Sequence, residues 1–453
     1  MPRTRLSALG LLTVSILAAG ALTPADMVSG NATAAEQSMP SRAGDCYAEG
    51  ASLTVEEQRV SPEVTLPGSD TGAAAEFIAA GGFERLLTRF ERRLCTLNRL
   101  DGAGGVVEGL GAHLWQTAVE RAQGERTMGE IDAYDDRPLY WTRTAMKRAL
   151  REWKPRFPLS SLQRQSMIRQ FDYASRGIGQ VSFPADDSVT TMLVSGFDTY
   201  SLDSSLRNSN PSGASALQLD GRTVETDAGT VVVQAVVLPV NWTDFDQGIV
   251  EDAFGPWLVP EDHPDHLGSV DTVMTISQTG RGRMDIEKWA GGFRGGSPDN
   301  NRSINFGPVS AAALWPQPQP SPQFIETTLP FQAMIDAGTG PWPVVLNDGI
   351  TEWPAGTFPD PRSLRKAADP SEGSRAASAP GGNYLSNESM YRTNRLRLGV
   401  GKPELPGGHL HISSLVYPED PGALTSPAFE ADRAAVVDQT VALVEAAGLD
   451  ALP

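Results

Sequence analysis

The sequence predicts an α/β protein, a three-layer α/β/α sandwich preceded by an N-terminal α-helical extension. Three observations carry that expectation. Between residues 73 and 173, apolar residues recur mostly at threes and fours, led by Phe77, Phe83, Leu86, Leu87, Phe90, Leu94 and Leu97, the spacing of amphipathic helices. From residue 190 onward this gives way to short β-rich apolar runs at 190–195, 230–238 and 270–276, which read as buried strands. A strand-like alternation at 408–415 and a closing amphipathic stretch at 429–447 complete the interleaving, which suits a sheet with helices on both faces.

Taken in order, residues 1–34 have the form of a secretory signal peptide. Arg3 and Arg5 precede an apolar run at 6–22, and Ala32-Thr33-Ala34 fits a small-x-small cleavage site. An uncleaved membrane anchor is the alternative. Residues 35–72 are polar and rich in Gly, Ser and Pro, and read as a loosely ordered, flexible leader. The helical extension then occupies 73–185, with Leu114, Val119, Met146, Leu150, Leu162 and Met167 continuing its apolar supply. Within it, Tyr140-Trp141-Thr142-Arg143 with Lys147, Arg148 and Arg151 makes a basic, aromatic stretch. A solvated helix face is favoured there over docking onto the acidic remainder of the chain. The sandwich spans 189–450. Residues 336–381, rich in Gly, Pro, Ser and Ala, interrupt it as a loop insertion, expected to be partly flexible and solvated rather than a lid.

Composition narrows the function. The chain has 453 residues and is 40% hydrophobic, enough for a sizeable core. A net charge of -18 argues against nucleic acid and anionic membranes, since phosphate binding needs a basic face. No later run is apolar for long enough to span a bilayer, so no stable membrane association is expected after signal cleavage, and the mature protein reads as secreted. Its oligomeric state is left open. The two cysteines, Cys46 and Cys95, suit one disulfide in an oxidising compartment, contributing roughly 3–4 kcal/mol by loop closure. Two free buried thiols are the alternative. No metal or cofactor is expected. His263 and His266 sit in an acidic loop that Pro264 keeps from being helical, and the paired glycines near 291–296 lack the Lys-Ser/Thr of a phosphate loop.

Chemistry enters through a set of short segments in a fixed order. Val194-Ser195-Gly196-Phe197-Asp198-Thr199-Tyr200 and Asn210-Pro211-Ser212 come first, followed by Leu238-Pro239-Val240. Ile276-Ser277-Gln278-Thr279-Gly280, Ile286-Glu287-Lys288-Trp289-Ala290, Pro298-Asp299-Asn300 and Thr328-Leu329-Pro330 continue the series. Gly382-Asn383-Tyr384-Leu385-Ser386-Asn387-Glu388-Ser389-Met390-Tyr391 and Leu410-His411-Ile412 close it. This order resembles the pyroglutamyl peptidase I (pyrrolidone-carboxylate peptidase) family over roughly residues 190–450, with Ser386 where the family has its catalytic cysteine.

The resemblance implies that family's α/β/α fold and an acyl-transfer reaction removing N-terminal pyroglutamate from peptides. Ser386 would be the nucleophile, His411 the base and Glu287 the group that orients the imidazole. Phe197 and Tyr200 would wall a lactam pocket, with Gln278 as its amide-like partner. His409, two residues earlier on the same strand face, is an alternative base. Several positions depart from the family. Serine replaces cysteine, Glu388 stands where the family has histidine, Lys288 replaces an arginine, and Tyr200 replaces a phenylalanine. The arginine expected before Pro298 is out of register, with Arg294 the nearest candidate. A catalytically impaired homologue that binds peptide ends is the alternative function. A serine hydrolase with a different acyl substrate is a third.

Overall fold

The computed structural model describes residues 46–452 apart from 49 and 187. The expected signal peptide lies outside the described residues. The first helix, α1 (Val55–Gln58), opens on a capping box in which Thr54 and Glu57 bond each other's backbone N–H, satisfying donors that a helix start leaves open. It is followed by α2 (Ala73–Ala80), α3 (Glu84–Thr96), α4 (Ala103–Ala122), α5 (Arg137–Glu152) and α6 (Ser161–Ala174). A second capping box, Ser160 with Gln163, begins α6.

Beyond them the chain alternates strands and helices: β1 (Val189–Phe197), α7 (Pro211–Leu219), β2 (Thr223–Thr226), β3 (Gly229–Leu238), α8 (Trp242–Asp246), α9 (Ile249–Phe254) and β4 (Thr272–Gln278). Short strands come next: β5 (Met284–Glu287), β6 (Trp289–Gly291), β7 (Phe293–Pro298), β8 (Ile304–Pro308) and β9 (Phe324–Glu326). Then follow α10 (Phe331–Asp336), β10 (Val344–Asn347), β11 (Ile350–Trp353), β12 (Arg365–Ala367), β13 (Arg375–Ser378), α11 (Leu385–Gly399), β14 (Gly407–Ile412) and α12 (Pro427–Asp450).

The principal sheet has the order β10-β5-β14-β4-β1-β3-β2. Its centre, β3-β1-β4-β14, is parallel. β5 runs antiparallel to β14, and β10 runs parallel to β5. Because side chains alternate along a strand, the two faces differ. Met192, Val194, Met274, Ile276, Met284, Ile286, Leu410 and Ile412 belong to one apolar core with the helices of the N-terminal region, α7 and α12. Leu193, Phe197, Val236, Leu238 and Val273 belong to another, shared with α8, α9 and α11. The sheet is thus covered on both sides, as the sequence predicts.

Three expectations need correction. The leader is ordered over its described part: Cys46 is disulfide-bonded to Cys95 of α3, and Glu57, Arg59 and Leu66 are buried. Its polar residues have partners in the fold; Arg59, for example, donates to the Asn300 carbonyl at 2.6 Å. The basic, aromatic stretch is not a solvated face. Tyr140, Trp141, Thr142 and Arg143 are buried, and its cations pair with carboxylates, Arg143 with Asp198, Lys147 with Asp172 and Arg151 with Glu57. Arg143 thus docks onto the sandwich through Asp198, while Lys147 and Arg151 pair within the N-terminal region. The 336–381 segment is a set of strands rather than a loop. β10 forms an edge of the principal sheet, and β12-β11-β13 make a small antiparallel sheet closed by packing of Phe293, Trp353 and Phe358. Its Gly and Pro residues serve the tight turns between short strands.

The disulfide spans 49 residues. Cys95→Ser is expected to cost about 3–4 kcal/mol, read as a lower denaturant midpoint; an unchanged midpoint would show that the N-terminal segment adds no stability through this link.

Candidate active site

Strand β14 lies between β4 and β5, so His409 and His411 share one sheet face with residues of both neighbours. His411 stands opposite Ser277 of β4 and Asp285 of β5, and diagonal neighbours on one face are within reach of long side chains. Glu287, two residues past Asp285, uses that diagonal: its Oε1 lies 2.6 Å from His411 Nδ1. The pair is buried, with His411 4% and Glu287 1% exposed. Asn347 of β10 donates to the same carboxylate at 3.1 and 3.3 Å. A carboxylate on Nδ1 fixes the tautomer that leaves Nε2 as the acceptor.

Gly381 closes over this pair. A Cβ there would sit 2.8 Å from His411 Cε1 and 3.1 Å from the Glu287 carboxyl carbon, so any side chain at this position would displace the imidazole. His409 is bound on both sides, with Nδ1 2.7 Å from Thr275 Oγ1 and Nε2 2.8 Å from Ser277 Oγ. Burial, and then the neighbouring His411, hold its pKa well below 6.5. Both nitrogens of this alternative base are therefore occupied, and its ring packs edge-on against His411 at 4.5 Å.

Ser386 is the second residue of α11 and half-buried. It lines a small cavity of about 50 Å³ together with Phe197, Tyr200, Gln278, Val240 and Tyr384. The aromatic wall is itself braced: Phe197 stacks on Phe245 at 6.1 Å, and Tyr384 meets Trp242 edge-on at 5.3 Å. The Tyr200 hydroxyl accepts from Gln278 Nε2 at 2.6 Å. Gln278 Oε1 is buried with no partner, an acceptor that a ligand N–H would satisfy.

All six sequence-predicted residues therefore fall into two adjoining groups, the His411–Glu287 pair and the cavity of Ser386, Phe197, Tyr200 and Gln278. Ser277 joins them, lining the cavity and bonding His409. Among the described residues no hydrogen bond links Ser386 Oγ to His411.

The charge at Glu388 is neutralised. Arg294 of β7 grips it with two bonds of 2.5 and 2.6 Å, and Arg392 adds a third at 2.6 Å. Arg294 also reaches Asp246 at 2.7 Å, and Arg392 reaches Glu251 at 2.9 Å. Sequence reading did not single out Asn387, whose amide bonds both the N–H and the C=O of Gly291 at 2.8 Å and so pins the start of α11 to β6. Its place directly after Ser386 was the available signal. Asn347 and Gly381 carried no signal, because nothing near them in sequence points to Glu287.

Fold and site together define an α/β protein with a buried histidine–carboxylate pair beside a serine-lined, mostly apolar cavity. Residues 34–172 match the family model described as PA0049 N-terminal domain, and residues 191–312 and 347–416 match PA0049, C-terminal domain. The uncharacterized protein PA0049 of Pseudomonas aeruginosa is 31% identical over 508 aligned residues, covering 88% of this chain and 89% of that protein. The chain belongs to the PA0049 family. Among solved structures, pyroglutamyl peptidase I of Bacillus amyloliquefaciens aligns at 16% identity and TM-score 0.37, over 57% of this chain and 97% of its own. Pyrrolidone carboxyl peptidase of Pyrococcus furiosus aligns at 20% and 0.35, over 57% and 100%. That of Thermus thermophilus aligns at 19% and 0.34, over 56% and 98%.

Because the folded His409 has its pKa depressed below the unfolded 6.5, the unfolded chain binds its proton first as pH falls. Its contribution to stability is thus present above pH 6.5 and is lost as pH falls from there through the folded pKa. In an NMR titration the His409 ring signals are expected to stay unshifted through pH 6.5; a midpoint near that value would contradict the double hydrogen bond.

Proposed function

We propose that this chain is an exported hydrolase that removes N-terminal pyroglutamate from peptides, with Ser386 as nucleophile. The observation that carries the reading is the buried, unpartnered Gln278 carbonyl in a small cavity that Ser386 also lines. Pyroglutamate is a neutral lactam. It offers one N–H donor, one ring carbonyl and a mostly apolar body, and it lacks the free amine that ordinary aminopeptidases grip. Gln278 Oε1 would take the N–H, while Phe197 and Tyr200 would flank the ring. A cavity this small suits a single ring rather than an extended side chain.

In this reading Ser386 Oγ attacks the carbonyl joining pyroglutamate to the next residue. His411 Nε2 takes the hydroxyl proton while Glu287 holds Nδ1 and stabilises the imidazolium. Negative charge develops on the carbonyl oxygen near the start of α11, where backbone N–H groups and the helix dipole favour it. The proton then passes to the leaving amine, and water releases pyroglutamate from Ser386. For the first transfer, the serine hydroxyl must close on His411 when substrate binds, since catalytic hydrogen bonds tighten in the complex. Export is supported by the N-terminal sequence pattern and by the Cys46–Cys95 disulfide, which suits an oxidising compartment.

The missing Ser386–His411 bond favours a second reading, a non-catalytic protein that holds pyroglutamyl peptide ends in the same cavity. Release of a fluorophore from a pyroglutamyl amide separates the two. Turnover by the wild type, abolished in Ser386→Ala, is expected. A silent wild type with an active Ser386→Cys would establish the binder, and silence from all three would remove the pyroglutamyl assignment.

Gly381→Ala provides a check on His411 that leaves the cavity alone. Displacing the imidazole is expected to lower kcat by about 10²-fold or more, the usual worth of a positioned general base, with little change in KM. Unaltered kcat would exclude His411 as the base.

A further inference from the structure

Phe197, Tyr200 and Asn210 face the cavity, and the loop that carries them is anchored from outside the sheet. Between the two aromatic residues, Asp198 is 4% exposed. One of its oxygens accepts from Arg143 of α5 and the other from Arg176, just beyond α6, each at 2.6 Å. Arg176 is held in turn by Asp172 of α6 at 2.9 Å. Asn210 donates through Nδ2 to the Asp198 carbonyl at 2.9 Å. Its backbone N–H donates to Asp136 at 3.0 Å, and Ser209 Oγ bonds the second oxygen of that carboxylate. A third anchor comes from Arg59, which pairs with Asp203 at 2.8 Å and bonds the Asn300 carbonyl. Asn300 Nδ2 in turn donates to the Thr199 carbonyl at 2.8 Å.

Arg143, Arg176, Asp136 and Arg59 all belong to the N-terminal region, and their partners all belong to, or bond, one loop. Without its two guanidinium groups, Asp198 would be a buried, unpaired carboxylate, an arrangement proteins relieve by rearranging or by taking up a proton. The conformation of residues 197–210 therefore depends on a part of the chain that contributes nothing to the Ser386 cavity directly.

We propose that the N-terminal helical region is a working part of this site. Arg143, Arg176 and Asp136 are positioning residues that set the 197–210 loop and, through it, the fit of the cavity around the substrate's ring. The substrate aspect rests on the pyroglutamyl reading above; the loop aspect rests on geometry alone. The extension is thereby assigned a role in specificity rather than in attachment or partner recruitment.

Hydrogen–deuterium exchange and kinetics on full-length Arg143→Met and Arg143→Lys test this. In Arg143→Met, amides of residues 198–210 are expected to exchange faster while those of α11 and the central strands keep their protection. KM for a pyroglutamyl amide should rise about tenfold, the scale of one lost charge-assisted hydrogen bond, with kcat nearly unchanged and partial recovery in Arg143→Lys. Exchange that is unchanged at 198–210, or raised equally throughout the chain, overturns the proposal, as does an unmoved KM in an active enzyme. A wild type silent on pyroglutamyl amides defeats the peptidase reading instead, and the exchange pattern then decides this one by itself. Should Arg143→Met not fold, the near-isosteric Asp136→Asn carries the same comparison.

Discussion

A polar stripe across the middle of a buried sheet face is the constraint on which the rest depends. Beneath α11, neighbouring strands carry Ser195, Thr275, Ser277, His409, His411, Asp285 and Glu287 side by side, as the β1–β4–β14–β5 register requires. Burying such groups without partners costs several kcal/mol, so most of them are satisfied within the stripe itself. His409 takes the hydroxyls of Thr275 and Ser277, and His411 takes Glu287. On the opposite face of the same strands, Met192, Val194, Met274, Ile276, Met284, Ile286, Leu410 and Ile412 join one apolar core. Both faces bury apolar side chains, and the polar groups concentrate on the one beneath α11.

The helix lying on that polar face is built to match. Its buried residues include Asn387, Glu388, Arg392, Asn394, Arg395 and Arg397, and it is located by ion pairs and amide bonds as much as by apolar packing. Arg294 and Arg392 converge on Glu388, and Arg392 and Arg395 on Glu251. Such networks are demanding, since removing one member leaves a buried charge without a partner, at a cost of roughly 3–5 kcal/mol. In return they fix the register of the helix bearing Ser386 against β7 and α9.

The same chemistry explains what could be read from the sequence. Strands β1, β3 and β4 are visible as apolar runs because both faces are buried, and His411 and Glu287 stand out through the segments around them. The basic stretch at 140–151 reads as solvated because its carboxylate partners, Glu57, Asp172 and Asp198, lie elsewhere in the chain, and a burial pattern made of remote ion pairs leaves no local periodicity. The strands at 344–378 are too short, and too closely punctuated by Gly and Pro, to register as period-two runs. Asn347 acquires its contact with Glu287 only because β10 pairs with β5, and Gly381 acquires its role only through a clash that glycine avoids.

Glu388 and Arg294 make up one physical unit. Glu388, taken alone, would set a carboxylate two residues from Ser386. Arg294, taken alone, would be a buried guanidinium. In the fold they form a bidentate pair with side chains 1% and 3% exposed, and Arg392 and Asp246 extend the pair into a network of alternating charge. Removing either one would leave the other's buried charge only partly compensated. Lys288 points outward to Asp369 at 2.5 Å, whereas the preceding Glu287 turns inward to His411. The buried charges near Ser386 are therefore paired among themselves, and the histidine–carboxylate pair keeps its own partners.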